Sequence, residues 1–304
     1  MNFAKMKEMR PYLEQPPAMP VGTPGKTGYV RLGFELDSGG RSVMRDWERR
    51  APLIVQQELY FDERMPGMPC VYILSSGGPN VDGDRYEQHF IVRRDAYAHL
   101  STGAATKLAE MRYNYSGLTQ LFELEENAYL EYLPEPTIPC RHTRLAADTQ
   151  IRIASSATLF YSEIYMSGRK YFGSGERFAY DILSVCTRAE RPDGEPLFRE
   201  KFVVRPEAQW PDTLGAMNGY DVFANVIVLT PPRHAEALYA RTPAFIDPDR
   251  DVAAGVTRLP SECGLLLKVL GRETEPVKRA VREFCSAVRL EVKGCPLFDE
   301  FPWR

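Results

Sequence analysis

SSGGPNVDGDRYEQHFIVRR, residues 75–94, joins a glycine-rich turn to a run in which Tyr86, Gln88, Phe90 and Val92 fall on alternate positions. That period of two is the signature of a strand. A phosphate cradle needs glycines that feed a helix N-terminus, whose free N–H groups and dipole hold the anion. Nothing helical follows here. A calcium loop needs oxygen ligands at alternating positions and a closing glutamate twelve residues in. Asp82 and Asp84 begin such a series, and it stops there. The stretch reads as a turn between two strands, with Gly77, Gly78 and Gly83 supplying positive φ. An acidic site at the aspartates is the alternative.

Outward from this turn the same pattern repeats. Val30, Leu32, Phe34 and Leu36 alternate before the turn DSGGR. PLIVQQELYF, PCVYILSS, LTQLFELEE, NAYLEYLPE, TQIRIASS and ATLFYSEIYM follow as short extended runs. FAYDILSVCTR and PLFREKFVVRP flank RPDGE, whose Asp-Gly is a hairpin signal. DVFANVIVLT and GLLLKVLG add two more strands. AATKLAEMRY is open between a short helix and a strand, and AEALYAR reads as a helix. In ETEPVKRAVREFCSAVRLEV, Val277, Ala280, Val281, Phe284, Cys285 and Val288 share one helical face, with Thr274 as the expected N-cap. Many short strands with few helices predict an all-β-dominated fold.

The 304 residues carry a net charge of −3 with scattered basic residues, which argues against a nucleic-acid footprint. No apolar run is long enough to span a membrane, so a soluble, cytoplasmic protein is expected. The six cysteines form no C-x-x-C pair and are expected as reduced thiols. Cys140 and His142 lie two apart, but a transition-metal site normally gathers three or four such ligands. Residues 1–27 are proline-rich and read as a flexible tail, dispensable for the fold, ahead of a β-rich domain over 28–304. They contain GTPGKTG, which imitates a Walker A loop. The first glycine of that motif would fall at Pro20, and Pro24 sits within the loop. The backbone N–H groups that hold phosphate are therefore missing, and no nucleotide is expected here.

An enzymatic reading would rest on carboxylates, because no G-x-S-x-G, H-E-x-x-H or Cys/His nucleophile arrangement occurs. ATLFYSEIYM is apolar on both faces, which predicts a strand buried on both sides with Glu163 inside. Glu131, between Tyr129 and Leu133, poses the same problem. A buried carboxylate is costly unless paired, protonated or bound to a cation. An arginine such as Arg169 is the plain structural answer.

Taken in order, APLIVQQELYF, SSGGPNVDGDR, STGAATK, YLEYLPEPTIPCRHTR and SEIYMSGRKYFGSGERF resemble the urease accessory protein family UreD, also called UreH. The similarity runs from about Arg31 to Arg304 and includes LPSECGLLLKVLG and the terminal proline–Trp–basic ending. Each piece is weak; the ordered set is specific. The chain departs from the pattern at Pro79–Asp82, at Gly103, and at Tyr171, Phe172 and Ser174. The resemblance implies a solenoid-like, β-helix-like winding of strands with a few helices, including a C-terminal one. It implies a non-enzymatic nickel-insertion chaperone that bridges apo-urease to UreF and, through UreF, to the GTPase UreG. Nickel would then be bound only in transit, and Asp84, Glu131, Glu163 and Glu176 are the expected oxygen stations along its path. The alternatives are a β-solenoid carbohydrate-active enzyme with paired carboxylates and a simple protein-binding module.

Overall fold

The alternation that begins at Tyr86 organises the chain into two mixed β-sheets and a helical layer. The computed structural model describes residue 3, residues 6–18 and residues 23–298. In chain order the strands are β1 (Thr27–Leu36), β2 (Ser42–Arg50), β3 (Leu53–Ile54), β4 (Cys70–Ser75), β5 (Arg85–Val92) and β6 (Tyr97–Thr102). Then come β7 (Thr106–Leu108), β8 (Ser116–Leu124), β9 (Tyr129–Tyr132), β10 (Thr137–Pro139), β11 (Arg144–Ile153) and β12 (Thr158–Met166). β13 (Ile182–Glu190), β14 (Pro196–Val204) and β15 (Val222–Leu229) precede helix α1 (Pro232–Arg241). β16 (Phe245–Asp247), β17 (Val252–Arg258), β18 (Gly264–Gly271) and helix α2 (Thr274–Lys293) complete the order.

The first sheet runs β14-β13-β11-β8-β5-β1-β2 and the second β16-β17-β18-β15-β12-β9-β6-β4-β3, with β7 and β10 joined to it beside β12. Through the middle the chain alternates between sheets, and each pass lies parallel on the one before. Glu87 stands beside Thr119, Thr119 beside Asp148 and Asp148 beside Cys186 in the first sheet. His99 beside Glu131 and Glu131 beside Phe160 continue the same stacking in the second. At the flanks β2, β14, β15, β17 and β18 pair antiparallel. The sheets are thus mixed, and the uniform winding of a solenoid is not what the chain forms.

Strand alternation sorts the core. Val30, Phe90 and Phe122 of the first sheet meet Val71, Leu130 and Leu159 of the second in one apolar cluster. The other face of the second sheet, with Phe160, Val226 and Leu267, packs on Val281, Phe284 and Val288 of α2. β12 is therefore covered on both sides, as its two-sided apolarity predicts. All six residues expected on the apolar face of α2 are buried. Its N-cap is Glu273, without a side-chain cap bond, so Thr274 is the first helical residue rather than the cap. AATKLAEMRY resolves as strand β7, held by parallel pairing with β10 that local propensity does not reveal.

The N-terminal region departs from the expected free tail. Met9 is fully buried in a cluster with Phe3, Tyr115, Ala146 and Ile182. Glu8 accepts from Ser184 Oγ at 2.7 Å and pairs with Lys201 Nζ at 2.5 Å. Docking onto the outer face of β11 and β13, rather than prolines alone, decides the conformation of residues 6–18. Met9→Ala is expected to cost about 2–5 kcal/mol through lost burial and the cavity left behind. Removing residues 1–18 should lower the urea midpoint in the same direction; an unchanged midpoint in both variants would restore the free-tail reading.

Candidate functional site

The opening turn carries charge but uses it locally. Gly78 and Gly83 adopt φ of 72° and 78°, as a turn requires. Gly77 does not; it is small because a Cβ there would come within 2.9 Å of Pro52. Asp84, fully buried, accepts from the Lys26 and Val81 amides at 2.9 Å each and from Tyr86 Oη at 3.1 Å. Lys26 Nζ lies 3.1 Å from the same carboxylate. Asp82 receives the amides of Arg112 at 2.7 Å and Asn114 at 2.8 Å. The two stretches that imitate anion loops therefore fold against each other, and Lys26 neutralises Asp84 rather than a phosphate.

Glu131 is fully buried on the α2-facing side of β9. Arg289 of α2, equally buried, donates to it twice, from Nε at 2.7 Å and from Nη2 at 2.6 Å. His99 Nδ1 donates at 2.7 Å and Tyr129 Oη at 2.6 Å. Arg289 Nη1 also bonds Asp62, whose other oxygen receives the amides of Arg64 and Met65. Burial alone would raise the Glu131 pKa; Arg289 and His99 overcome it and hold the carboxyl well below its usual value of 4.5. Every oxygen of this carboxylate is committed.

Glu163 differs. β12 turns Tyr161, Glu163 and Tyr165 toward a cavity of about 450 Å³ between the sheets. Gln88 and Gln120 of the first sheet line it, with Tyr132 of the second and Thr106 and Lys107 of β7. Gln120 Nε2 donates to Gln88 Oε1 at 2.8 Å, and Gln120 Oε1 accepts from Tyr161 Oη at 3.1 Å. Tyr161 and Tyr165 hydroxyls both lie in reach of Glu163 Oε1, at 2.8 and 3.1 Å. Glu163 Oε2 is buried without a hydrogen-bond partner, and so is Oδ1 of Asn225, the residue opposite Glu163 on β15. Burial pushes the Glu163 carboxyl up to about 6; the two tyrosine hydroxyls and, more weakly, the Asn225 side chain oppose that shift, and Glu200 adds to it. Glu200 is itself held by Asn225 Nδ2 at 2.8 Å and Lys268 Nζ at 2.5 Å.

Glu176 closes the loop after β12. Arg169 donates to it from Nε and Nη2, both at 2.7 Å, and the Arg141 amide reaches it at 3.3 Å. The arginine holds the Glu176 carboxyl below its usual value, against a smaller push from burial. Arg169 is thus the partner of Glu176, not of Glu163. Near this loop His142 Nδ1 bonds Asp181 Oδ1 at 3.0 Å. Among the described residues no three His, Cys, Asp or Glu side chains form a metal cluster.

The four expected carboxylates are not brought together. Glu131 and Glu163 stand on opposite faces of the second sheet, while Asp84 and Glu176 organise loops. Only Glu163 offers an oxygen to a cavity. Gln88, Gln120 and Asn225 escape the sequence reading, because single amides on apolar strands give no spacing signal; inward-facing glutamines at alternate positions are the sole hint.

A sequence model described as the UreD urease accessory protein matches residues 26–304 of this chain. The chain is 45% identical over 301 residues to urease accessory protein UreD 2 of Brucella suis, covering 99% of each. It is 44% identical over 303 residues to UreD 2 of Brucella abortus, with the same coverage. Urease accessory protein UreD of Yersinia enterocolitica is 43% identical over 303 residues, covering 98% of this chain and 92% of that one.

The buried ion cluster makes a direct prediction. Arg289→Met leaves Glu131 and Asp62 charged and unpaired, and the expected loss is about 3–5 kcal/mol. Because the Glu131 pKa is depressed on folding, its stabilisation is present above pH 4.5 and fades as pH falls below it. Urea titrations across pH should show that acid-side loss in the parent and not in Arg289→Met; a variant with unchanged stability would mean the cluster is not closed.

Proposed function

This chain belongs to the UreD urease accessory protein family, which acts in urease maturation without catalysing a reaction, and on that premise we propose that it conducts nickel. In this reading the chain bridges apo-urease to UreF and the GTPase UreG, and nickel freed at the GTPase crosses the cavity between the sheets. The observation that carries the reading is Glu163, whose Oε2 is buried and unpaired beside a largely apolar cavity to which Gln88, Gln120 and Tyr132 add polar groups. Nickel prefers nitrogen and sulfur donors and is held more weakly by carboxylates and carbonyls. Conduction needs stations that bind well enough to admit an ion and weakly enough to release it. One carboxylate ringed by amide and phenol oxygens satisfies both conditions, whereas a His/Cys cluster would be a trap. The buried cysteines fit this division, since burial raises the thiol pKa of Cys70 and Cys285 and keeps them protonated. Asp84, Glu131 and Glu176 support the walls instead of taking the ion.

Glu163→Gln tests the proposal because it keeps the volume and the tyrosine contacts while removing the charge. The variant should assemble with UreF, UreG and apo-urease, and should activate urease more slowly when nickel, bicarbonate and GTP are supplied. Normal assembly with normal activation would take Glu163 off the path. The pH dependence has a fixed sign. The folded pKa of about 6 exceeds the ordinary 4.5, so the parent loses stability as pH rises between them, by about 2 kcal/mol, and Glu163→Gln should not.

A further inference from the structure

We propose that the cavity has a second opening, reached through a polar seam between the sheets and gated at the surface by the ion pair Glu200–Lys268. The inference rests on the reading of this chain as a nickel conduit and extends the path beyond Glu163. On the inner face of the second sheet Glu163, Asn225 and Lys268 stand side by side on β12, β15 and β18. They split the apolar filling in two: Tyr161, Ile227 and Leu266 belong to one cluster, Tyr165, Phe223 and Leu270 to another. The facing sheet repeats the division. Gln120, Thr149, Thr187 and Glu200 are neighbours across β8, β11, β13 and β14. Ala189 and Phe198 lie on one side of that row and Val185 and Phe202 on the other, in the same two clusters.

The seam joins the cavity to solvent. Gln120 and Glu163 line the cavity, and Thr149 Oγ1 donates to Gln120 Oε1 at 3.0 Å. Asn225 is 1% exposed, its Oδ1 has no partner, and its Nδ2 donates to Glu200 at 2.8 Å. Asn225 and Glu200 both act on the Glu163 carboxyl. Beyond them β14 is the last strand of its sheet, and there Lys268 Nζ closes on Glu200 at 2.5 Å with its side chain 48% exposed. The other end of the cavity meets solvent between the loops after β4 and β6, where Gly78, Pro79, Gly103 and Ala104 are exposed. β12 stands between the two ends in the strand order. A row of polar groups inside a sandwich costs stability that apolar residues at the same positions would not. Here it carries oxygen donors from the cavity to the surface, of the weak kind that lets an ion move on. The ammonium of Lys268 repels a cation at the outer end while it is in place, and its flexible four-carbon stem lets it swing into water.

Opposite signs within one ion pair test the gate. In the activation assay that tests Glu163→Gln, Glu200→Gln and Asn225→Leu should each slow urease activation severalfold, because they take charge or oxygen from the path. Lys268→Met should speed it, because it removes the barrier. Each variant should still assemble with the partner proteins. Asn225→Leu should keep the parent's urea midpoint, since it removes an unmet acceptor, and Glu200→Gln and Lys268→Met read the gate from its exposed end without altering the buried seam. A Lys268→Met chain that activates urease no faster than the parent overturns the proposal, because the pair is then a structural tie on an edge strand. Slow activation in Glu163→Gln with parental rates in Glu200→Gln and Asn225→Leu removes the seam and leaves the conduit standing. A parental rate in Glu163→Gln as well removes both.

Discussion

The architecture depends on one buried guanidinium. Arg289 leaves the apolar face of α2 and reaches Glu131 in the middle of β9 and Asp62 in the loop before β4. Isolating any of these charges in the interior would cost several kcal/mol, so the three positions must be occupied together. A planar fork with five donors satisfies two carboxylates at fixed angles, which a lysine cannot do. The consequence is geometric. Apolar packing alone allows a helix to slide on a sheet; a bidentate pair with Glu131 and a further bond to Asp62 set its rotation and its register.

That register matters because the second sheet serves two purposes. Its outer face, through Phe160, Val226 and Glu131, carries the helices, while its inner face carries Tyr132, Tyr161 and Glu163. Residues on one strand alternate between these tasks, so the outer clamp holds the positions of the inner side chains. The same residue type, glutamate, is neutralised on one face and left half-satisfied on the other. The difference lies in the partners: an arginine from α2 in one case, two tyrosine hydroxyls of the same strand in the other.

The strands were legible because period-two alternation survives without tertiary information, and so was α2, whose apolar stripe follows the helical period. The pairing of β7 with β10 was not, since three-residue strands gain their definition from neighbours distant in sequence. The N-terminal segment was misread for a related reason. Its prolines signal irregular backbone, and nothing local shows that Met9 meets Ala146 and Ile182. Among the carboxylates, burial could be inferred for Glu131 and Glu163 from the apolar residues around them. The identity of the counter-charge could not: Arg289 lies 158 positions from Glu131, and Arg169 serves Glu176 instead.

The distribution of unpaired oxygen then bears on what an accessory protein of this kind can be. Asp84, Glu131 and Glu176 have their charges matched within the chain, so their carboxylates stabilise folded segments. Glu163 Oε2 and Asn225 Oδ1 are exceptions on paired positions of adjacent strands, and an unmet acceptor in a buried site carries a standing cost. Water or a cation in the cavity relieves that cost without any rearrangement of the sheet. Of the four expected carboxylates, Glu163 alone keeps an unmet oxygen beside the cavity, and the proposed passage of a charged ion rests on that difference from the three whose charges are matched.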